Sequence, residues 1–370
     1  MTDQQNIAAG TTTTFSTPNR SPMYPVVGPQ GNLWYGGKHV PQVLRVGGDL
    51  QGEPTFTAFA TKATPDTPIV GPDKNIWYAN ANPESQTIVR VSGDLSGTPT
   101  ITEFDTGLYN AMFPCIGPEG NLWYGYATIK GHYVLRVSFA PDNTPSFTTF
   151  DTGINRPITP VCGPDNTVWF GNDDADGSTA VIRFSGHLSG EPTITTFDTG
   201  IQNPQFPVKD SKDNLWFGTK NTTAILRVSG DFNGTPSFRR INTPIMSPNM
   251  PGVGPQETVW FGTRDENATQ VVRVSGDLSG DPDIRGFETN IKGLQFPKVG
   301  PLDSVWIGGT THTNLAVCFQ GDLAGTPYLA QIDTGICNPQ VPVAGPGNTL
   351  WFGNLTFNFV NNFIARISMD

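Results

Sequence analysis

The stretch GPDNTVWFGN, from Gly163 to Asn172, recurs along the chain in close copies such as GPQGNLWYGG, GPEGNLWYGY, GPQETVWFGT and GPGNTLWFGN. The chain has eight tryptophans, which mark the copies at intervals of 43 to 47 residues: Trp34, Trp77, Trp123, Trp169, Trp216, Trp260, Trp306 and Trp351. A fixed period of this length indicates a repeat protein in which each repeat is one supersecondary unit.

Other residues keep the same register as the tryptophans. A proline precedes each tryptophan by nine residues: Pro25, Pro68, Pro114, Pro160, Pro207, Pro251, Pro297 and Pro342. In one unit Cys318 occupies the position that holds an arginine in the others. The other seven units have an arginine after the tryptophan: Arg45, Arg90, Arg136, Arg183, Arg227, Arg273 and Arg366. Eight units in register predict a single domain over residues 1–370, with units starting near residues 23, 66, 112, 158, 205, 249, 295 and 340.

Each unit reads as four short strands. Segments such as PVVGP, NLWYG, VLRVSG and TITEF follow one another, separated by Gly-Pro turns and by turns like GDLSGTP. No stretch shows sustained apolar spacing of a helix. Four strands in a unit of this length are typical of a propeller blade. The sequence therefore predicts an all-β fold, an eight-bladed β-propeller of four-stranded antiparallel blades.

The two ends of the chain complement each other. The last unit, ending FIARISMD, contains three strands, while GTTTTFST precedes the first unit. In this alignment Phe15 matches the phenylalanine of the fourth strand in other units: Phe59, Phe104, Phe150, Phe197 and Phe287. We therefore predict that residues 11–16 complete the last blade and protect its exposed edge.

Composition narrows the range of partners. Lys+Arg 22 against Asp+Glu 32 gives a net charge of −10, which disfavours nucleic acid. No apolar run is long enough for membrane insertion, and the start lacks the basic and apolar regions of a signal peptide. We expect a virion or cytoplasmic location. The four cysteines show no metal-binding or redox spacing and are expected to be buried free thiols.

The unit P-x-x-P-x-x-G-P-D-x-x-x-W-F-G, followed by I-x-R-V-S-G and P-T-I-T-x-F, resembles the virginiamycin B (streptogramin) lyase family over nearly the whole chain. The resemblance implies that family's propeller fold. It also implies elimination chemistry that opens a cyclic depsipeptide, with a histidine base, acidic residues at the funnel mouth and a magnesium ion.

The positions that would carry this chemistry hold other residues. The family's histidine would match Met23, Asp66, Met112, Ile158, Gln205, Asn249, Gln295 and Gln340. Its glutamates would match Gly37, Asn80, Tyr126, Asn172, Thr219, Thr263, Gly309 and Asn354. None is histidine in the first set or acidic in the second, and amides and methyl groups cannot serve as a proton-abstracting base. We therefore expect no catalytic residues, no cofactor and no metal site.

Further candidates for chemistry are weak. The four histidines, His39, His132, His187 and His312, lie in loops or turns without metal-ligand spacing. The recurrent aspartates of the G-D-L/F-x-G turns are interpreted as turn caps: Asp49, Asp94, Asp231, Asp277 and Asp322. The loop NDDADGST, from Asn172 to Thr179, is the best cation candidate, although a solvated hairpin tip is the preferred interpretation.

One face of the predicted propeller varies and the other does not. The loops after strands two and four differ between units, whereas those after strands one and three repeat. A uniform scaffold with different loops is how a binding face is usually built. The candidate ligand-facing residues are Asp66, Asn80, Tyr126, Asn172, Gln205, Asn249, Gln295, Gln340 and Asn354.

Three functions remain open. The preferred one is a non-catalytic structural or recognition propeller within a larger assembly, such as a bacteriophage decoration or tail-fibre protein that binds protein or glycan. The second is a divergent lyase or hydrolase that uses funnel residues, with Asp66, Asn249 and Gln295 as candidates. The third is an intracellular protein-interaction platform. We also expect that replacing Trp169 destabilises the fold and that replacing Tyr126 does not.

Overall fold

The computed structural model describes residues 10–37, 40–126, 131–173, 177–354 and 362–369. All regular elements within these ranges are strands, and none of this part of the chain forms a helix that could cross a membrane. The N-terminal strand is β1 (Thr11–Ser16). Blade 1 consists of β2 (Pro22–Val27), β3 (Leu33–Gly37), β4 (Gln42–Gly48) and β5 (Pro54–Ala60), and blade 2 of β6 (Pro65–Val70), β7 (Ile76–Asn80), β8 (Thr87–Gly93) and β9 (Pro99–Asp105). Blade 3 consists of β10 (Ala111–Ile116), β11 (Leu122–Tyr126), β12 (Tyr133–Phe139) and β13 (Pro145–Asp151), and blade 4 of β14 (Pro157–Gly163), β15 (Thr167–Asn172), β16 (Ala180–Gly186) and β17 (Pro192–Asp198).

The second half of the chain repeats this order. Blade 5 consists of β18 (Gln205–Lys209), β19 (Leu215–Gly218), β20 (Ala224–Gly230) and β21 (Pro236–Asn242), and blade 6 of β22 (Pro248–Gly254), β23 (Thr258–Thr263), β24 (Gln270–Gly276) and β25 (Pro282–Glu288). Blade 7 consists of β26 (Leu294–Gly300), β27 (Ser304–Gly309), β28 (Leu315–Gly321) and β29 (Pro327–Asp333), and blade 8 contains β30 (Pro339–Ala344), β31 (Thr349–Asn354) and β32 (Phe363–Ser368).

The eight sheets form a closed ring. Each sheet has four antiparallel strands in chain order, except the last, whose order is β1-β32-β31-β30. The first strand of each blade contacts the first strand of the next, and β2 contacts β30 of the last blade. The first strands therefore surround the axis, which confirms the predicted eight-bladed propeller.

The N-terminal strand closes the last blade as predicted. Thr11 pairs with Ser368 and Ser16 pairs with Phe363 in an antiparallel ladder. The Arg366 guanidinium lies 5.2 Å from the centre of the Phe15 ring, as Arg183 lies 5.0 Å from that of Phe197. β1 thus supplies both the backbone hydrogen bonds and the aromatic ring that a complete blade requires.

The repeated tryptophan lies between blades. All eight tryptophans are buried to at least 99%, and each packs against the following blade, as Trp34 does against Ile76 and Tyr78. A large ring of this kind buries about 150–250 Å². The glycine two residues later permits the close approach, because a Cβ on Gly171 would lie 2.3 Å from the Pro204 carbonyl oxygen of the next blade. The motif is a building unit of the ring.

The repeated arginine joins neighbouring blades. Arg183 donates hydrogen bonds to the carbonyl oxygens of Phe232 (2.7 Å) and Gly234 (2.9 Å), in the turn between the third and fourth strands of the next blade. Equivalent bonds are donated by Arg45, Arg136, Arg227, Arg273 and Arg366. These charge-assisted bonds fix each turn against the preceding blade.

The recurrent aspartate shapes the same turn. The Asp277 carboxylate accepts hydrogen bonds from the backbone N–H groups of Ser279 (3.1 Å) and Gly280 (2.8 Å). Asp94 makes the same pair of contacts with Ser96 and Gly97. This geometry agrees with turn capping, since the carboxylate satisfies backbone donors that no strand partner reaches.

Candidate functional site

A collar of side chains narrows the central axis. The residue immediately before each repeated proline points there: Tyr24, Thr67, Phe113, Thr159, Phe206, Met250, Phe296 and Val341. Aromatic rings come from blades 1, 3, 5 and 7, and smaller or flexible side chains from the blades between them. The Phe206 ring contacts those of Phe113 (5.3 Å between centres) and Phe296 (6.1 Å) edge-on. This alternation lets an eight-membered ring fill its axis with apolar side chains.

Local backbone geometry places the collar. In each first strand the pairing register shifts at this point, as between Met23 and Val26. A β-bulge re-aims a side chain in this way. Seven of the eight collar residues have positive φ, for example 49° at Phe113 and 42° at Val341. A left-handed conformation is costly for such residues, so the packing of the collar and the following proline must hold it.

The first set of predicted positions lies one residue before the collar. Asp66, Gln205, Asn249 and Gln340 are buried to 98% or more, whereas Gln295 is partly exposed. Asn249 donates hydrogen bonds from Nδ2 to Gln205 Oε1 (3.1 Å) and to the Thr219 carbonyl (2.9 Å). At least these two amides belong to a packed polar layer beneath the variable-loop face. Their contact with a ligand stays a prediction.

The second set of predicted positions braces the loops that follow. Asn80 donates from Nδ2 to Ser85 Oγ and to the Thr87 carbonyl, both at 2.7 Å. Asn172 donates in the same way to the Ala180 carbonyl. Asn354 is fully buried next to residues 355–361, which the structure does not describe. The Asn80 and Asn172 amides are thus used to hold their own hairpins, a role that the sequence analysis did not assign.

Tyr126 is not a loop residue. It ends β11 with 6% of its surface exposed and packs against Leu108 and Tyr124. The expectation that its replacement would leave folding unaffected therefore does not fit its burial. The same ring also forms part of a pocket wall, described below.

A polar cluster joins blades 4, 5 and 6 at the variable-loop end of the axis. Asp173, 4% exposed, lies 2.9 Å from Arg156, 3.5 Å from Lys220 and 3.5 Å from Arg264, and it accepts a hydrogen bond from Gln205. Arg264 also donates to Gln205 Oε1 (2.9 Å). Three cations on one carboxylate make Asp173 a poor metal ligand. The neighbouring Asp174 and Asp176 of the predicted cation loop fall within the undescribed residues 174–176.

The three histidines that the structure describes do not converge on the axis. His187 and His312 are exposed and His132 is half-buried, each in a different blade, and His39 is among the residues that the structure does not describe. In the part of the chain that it does describe, no three His, Cys, Asp or Glu side chains are grouped so that they could hold a metal ion.

A pocket lies on the variable-loop face between blades 2 and 3. It has a volume of about 410 Å³ and is lined by Gly107, Leu108, Tyr109, Tyr126, Tyr133 and Thr149. Tyr109 is 46% exposed and Tyr133 is 43% exposed, although both rings are large and apolar. We refer to this site as the tyrosine pocket. Tyr126 is one of the candidates from the sequence, whereas Tyr109 and Tyr133 are not, and the sequence alone does not show that the three rings line one pocket.

The collar could have been found from the sequence. Its signal is the residue before each repeated proline, where aromatic residues occupy alternate units. The residue type at that position differs between units and is never His, Cys or acidic, so a search for shared catalytic residues does not find it.

Comparison with known proteins agrees with this geometry. No protein-family model matches the sequence, and no curated protein matches it. A solved streptogramin B lyase structure matches 97% of this chain and 98% of its own length, with a TM-score of 0.55 and 17% identity. The fold is that of the streptogramin B lyases.

Other solved structures extend the comparison. Virginiamycin B lyase from Staphylococcus aureus matches with a TM-score of 0.59 and 17% identity, over 97% of this chain and 99% of its own. A periplasmic gluconolactonase from Pseudomonas aeruginosa matches with a TM-score of 0.60 and 10% identity, over 92% and 99%. These neighbours are enzymes by name, and at such identities the likeness to streptogramin B lyases concerns the fold alone.

Proposed function

We propose that the protein is a non-catalytic recognition propeller that binds a glycan through the tyrosine pocket on its variable-loop face. The observation that supports this most is that two half-exposed rings, Tyr109 and Tyr133, line one concavity. The apolar faces of sugar rings pack on aromatic side chains, while hydroxyl groups such as that of Thr149 hydrogen-bond to sugar hydroxyls.

The rest of the variable-loop face fits a binding role. The Asp173 cluster and the buried amides Gln205 and Asn249 satisfy one another, so they rigidify the face instead of offering a free base. A rigid scaffold lowers the entropic cost of binding, because fewer side chains must be ordered by the ligand. In its finer form, the proposal places the disc in a larger assembly, such as a bacteriophage particle that displays it towards a glycan-coated surface.

The test is glycan binding by the purified chain on an array of immobilised oligosaccharides. Tyr133→Ala should lower binding to the recognised glycans at least tenfold. Tyr328→Ala is the matched control, because Tyr328 has the same 43% exposure but lies on β29, away from the pocket. Equal binding by the parent and Tyr133→Ala, or no glycan bound at all, would contradict the proposal. The finer form requires the protein to co-purify stoichiometrically with a particle from its natural source.

A second candidate is an enzyme acting at the funnel mouth. The specific observation in its favour is the set of three cations, Arg156, Lys220 and Arg264, around the axis end, since such groups stabilise developing negative charge on an oxyanion. The test is turnover of cyclic depsipeptides and lactones. Activity that Asn249→Ala or Gln295→Ala abolishes while the fold is retained would favour this candidate over the recognition role.

A further inference from the structure

The axis holds a pocket on the other side of the collar. It has a volume of about 200 Å³, and all eight collar residues line it together with Pro114, Pro160, Pro207, Pro251, Val208 and Lys298. The additional residues follow the collar along the first strands, which run towards the Gly-Pro turns. The pocket therefore opens on the face with repeated turns, opposite the variable loops. We refer to it as the axial pocket.

Lys298 is the one charged residue lining the axial pocket. It follows the repeated proline of blade 7, and the equivalent residues of the other blades are uncharged: Val26, Ile69, Cys115, Val161, Val208, Gly252 and Val343. The collar supplies four aromatic side chains to the pocket, and the repeated prolines add further apolar surface. A single cation thus stands in a concavity that is otherwise lined by neutral groups.

Lys298 has no partner of its own. No hydrogen bond or ion pair joins it to another residue in the described ranges, whereas Lys209, one residue further along the first strand of blade 5, pairs with Asp213 at 3.0 Å. More than a third of the Lys298 surface is exposed, and it faces the pocket. Burial among the surrounding protein atoms lowers the pKa of the Lys298 ammonium. A bound anion would relieve this cost by pairing with the charge.

A second polar group faces the same pocket. Burial raises the pKa of the Tyr24 phenol, and the charge of Asp66 raises it further, so the phenol stays protonated. A protonated phenol can donate a hydrogen bond to an anion. Lys298 and Tyr24 thus offer a ligand's anionic end a cation and a hydrogen-bond donor, while Thr67 and Thr159 add neutral hydroxyl groups to the same lining.

We propose that the axial pocket binds an aromatic carboxylate, with its rings against the collar and its carboxylate on Lys298. The rings of Phe113, Phe206 and Phe296 already meet edge-on, and an aromatic ligand continues that packing better than an aliphatic one. This site is on the opposite face from the tyrosine pocket and is independent of the glycan proposal.

The test is calorimetric titration of the full chain with three probes of similar shape. Biphenyl-4-carboxylate should bind with one-to-one stoichiometry. The uncharged biphenyl-4-methanol should bind at least tenfold more weakly, because it cannot pair with Lys298. Bicyclohexyl-4-carboxylate should also bind more weakly, because it lacks the aromatic edges and faces. Equal affinity of all three probes would overturn the proposal.

Substitutions then locate the site. Lys298→Met should weaken biphenyl-4-carboxylate binding at least tenfold and leave biphenyl-4-methanol unaffected, while Lys298→Arg should retain most of the affinity for the carboxylate. Lys209→Met is the control for loss of a first-strand lysine outside the pocket and should bind as the parent does. Lys298 is exposed and makes no hydrogen bond or ion pair in the described ranges, so its replacement should leave the fold intact, and unchanged carboxylate binding by Lys298→Met would overturn the assignment.

Discussion

Cys318 pairs with Trp306 across β27 and β28, at the place where an arginine faces the tryptophan in every other blade, as Arg273 faces Trp260. The reason lies in the next blade. Blade 8 takes its fourth strand from the N-terminus, so it has no turn between third and fourth strands to accept the arginine's hydrogen bonds. Met369 instead packs in the same apolar cluster as Cys318. The one unit without the arginine thus marks the position of the chain ends in the ring.

The Cys318→Arg variant should be destabilised by about 3–5 kcal/mol, because a guanidinium would be buried there with no acceptor. Cys318 is 1% exposed and lies in an apolar cluster with Met369, so the new charge would be introduced into apolar surroundings. Chemical denaturation measures the change. A Cys318→Arg variant as stable as the parent would show that the missing turn does not explain the missing arginine.

A circular permutant provides the converse experiment. In this permutant, a copy of the turn Gly276–Asp281 replaces residues 369–370 and connects β32 to residue 10, so that blade 8 gains a turn between its third and fourth strands. The chain is opened between Asp142 and Asn143, which become the new ends. Cys318→Arg should then cost little or stabilise the protein, because the new turn supplies carbonyl acceptors like those at Leu323 and Gly325. If Cys318→Arg destabilises the permutant as much as the parent, the acceptor explanation is wrong.

The arginines with and without acceptors should differ in their contribution to stability. Arg273 is fully buried and donates to two carbonyl groups of the next blade, at 2.8 and 2.7 Å. Arg273→Met should cost roughly 3 kcal/mol, because it leaves those carbonyls without a donor. Arg90 stacks on Phe104 but donates to no carbonyl group in the described part of the chain. Arg90→Met should cost about 1 kcal/mol or less.

Replacement of the repeated tryptophan should open a cavity. Trp169 is fully buried, packs against Phe217 of the next blade, and donates its indole N–H to Thr167 Oγ1 (2.9 Å). Trp169→Ala should cost about 3–5 kcal/mol. Tyr133→Ala is the control and should change stability by less than about 1 kcal/mol, because Tyr133 is 43% exposed. Equal melting temperatures of Trp169→Ala and the parent would refute the wedge role.

The Asp173 cluster should respond to charge removal. Asp173→Asn would leave Arg156, Lys220 and Arg264 close together without their shared carboxylate, so we expect a loss of roughly 2–4 kcal/mol. Added salt should recover part of the loss, because it screens the repulsion between the partly exposed cations. Denaturation at low and high ionic strength measures both effects. A loss that salt does not change would mean that repulsion is not its cause.

Much of the fold could be predicted because the same sequence motif recurs in every blade. The eight tryptophans give the blade count, and the match of Phe15 to the other fourth-strand phenylalanines gives the closure. The tryptophan recurs in every unit, and the fourth-strand phenylalanine recurs in most, with Ile241 and Ile332 in blades 5 and 7, so both signals follow from aligning the units with one another.

The sites could be predicted only in part. Residues such as Asn80 and Asn172 lie at the ends of second strands, and the sequence alone cannot tell whether such an amide faces a ligand or its own hairpin. The tyrosine pocket and the axial pocket depend on contacts between different blades. Tyr109 lies in the loop between β9 and β10 and Tyr133 begins β12, while Lys298 stands out only once the first strands are placed around a common axis.

Hydrogen exchange at residues 11–16 tests the closed ring most directly. We predict that the amides of residues 11–16 exchange as slowly as those of Pro99–Asp105, the equivalent fourth strand of blade 2. We also predict that they lose this protection only when the whole protein unfolds. Exchange of residues 11–16 at the rate of an unstructured peptide, while β32 stays protected, would contradict closure of the ring by the N-terminal strand.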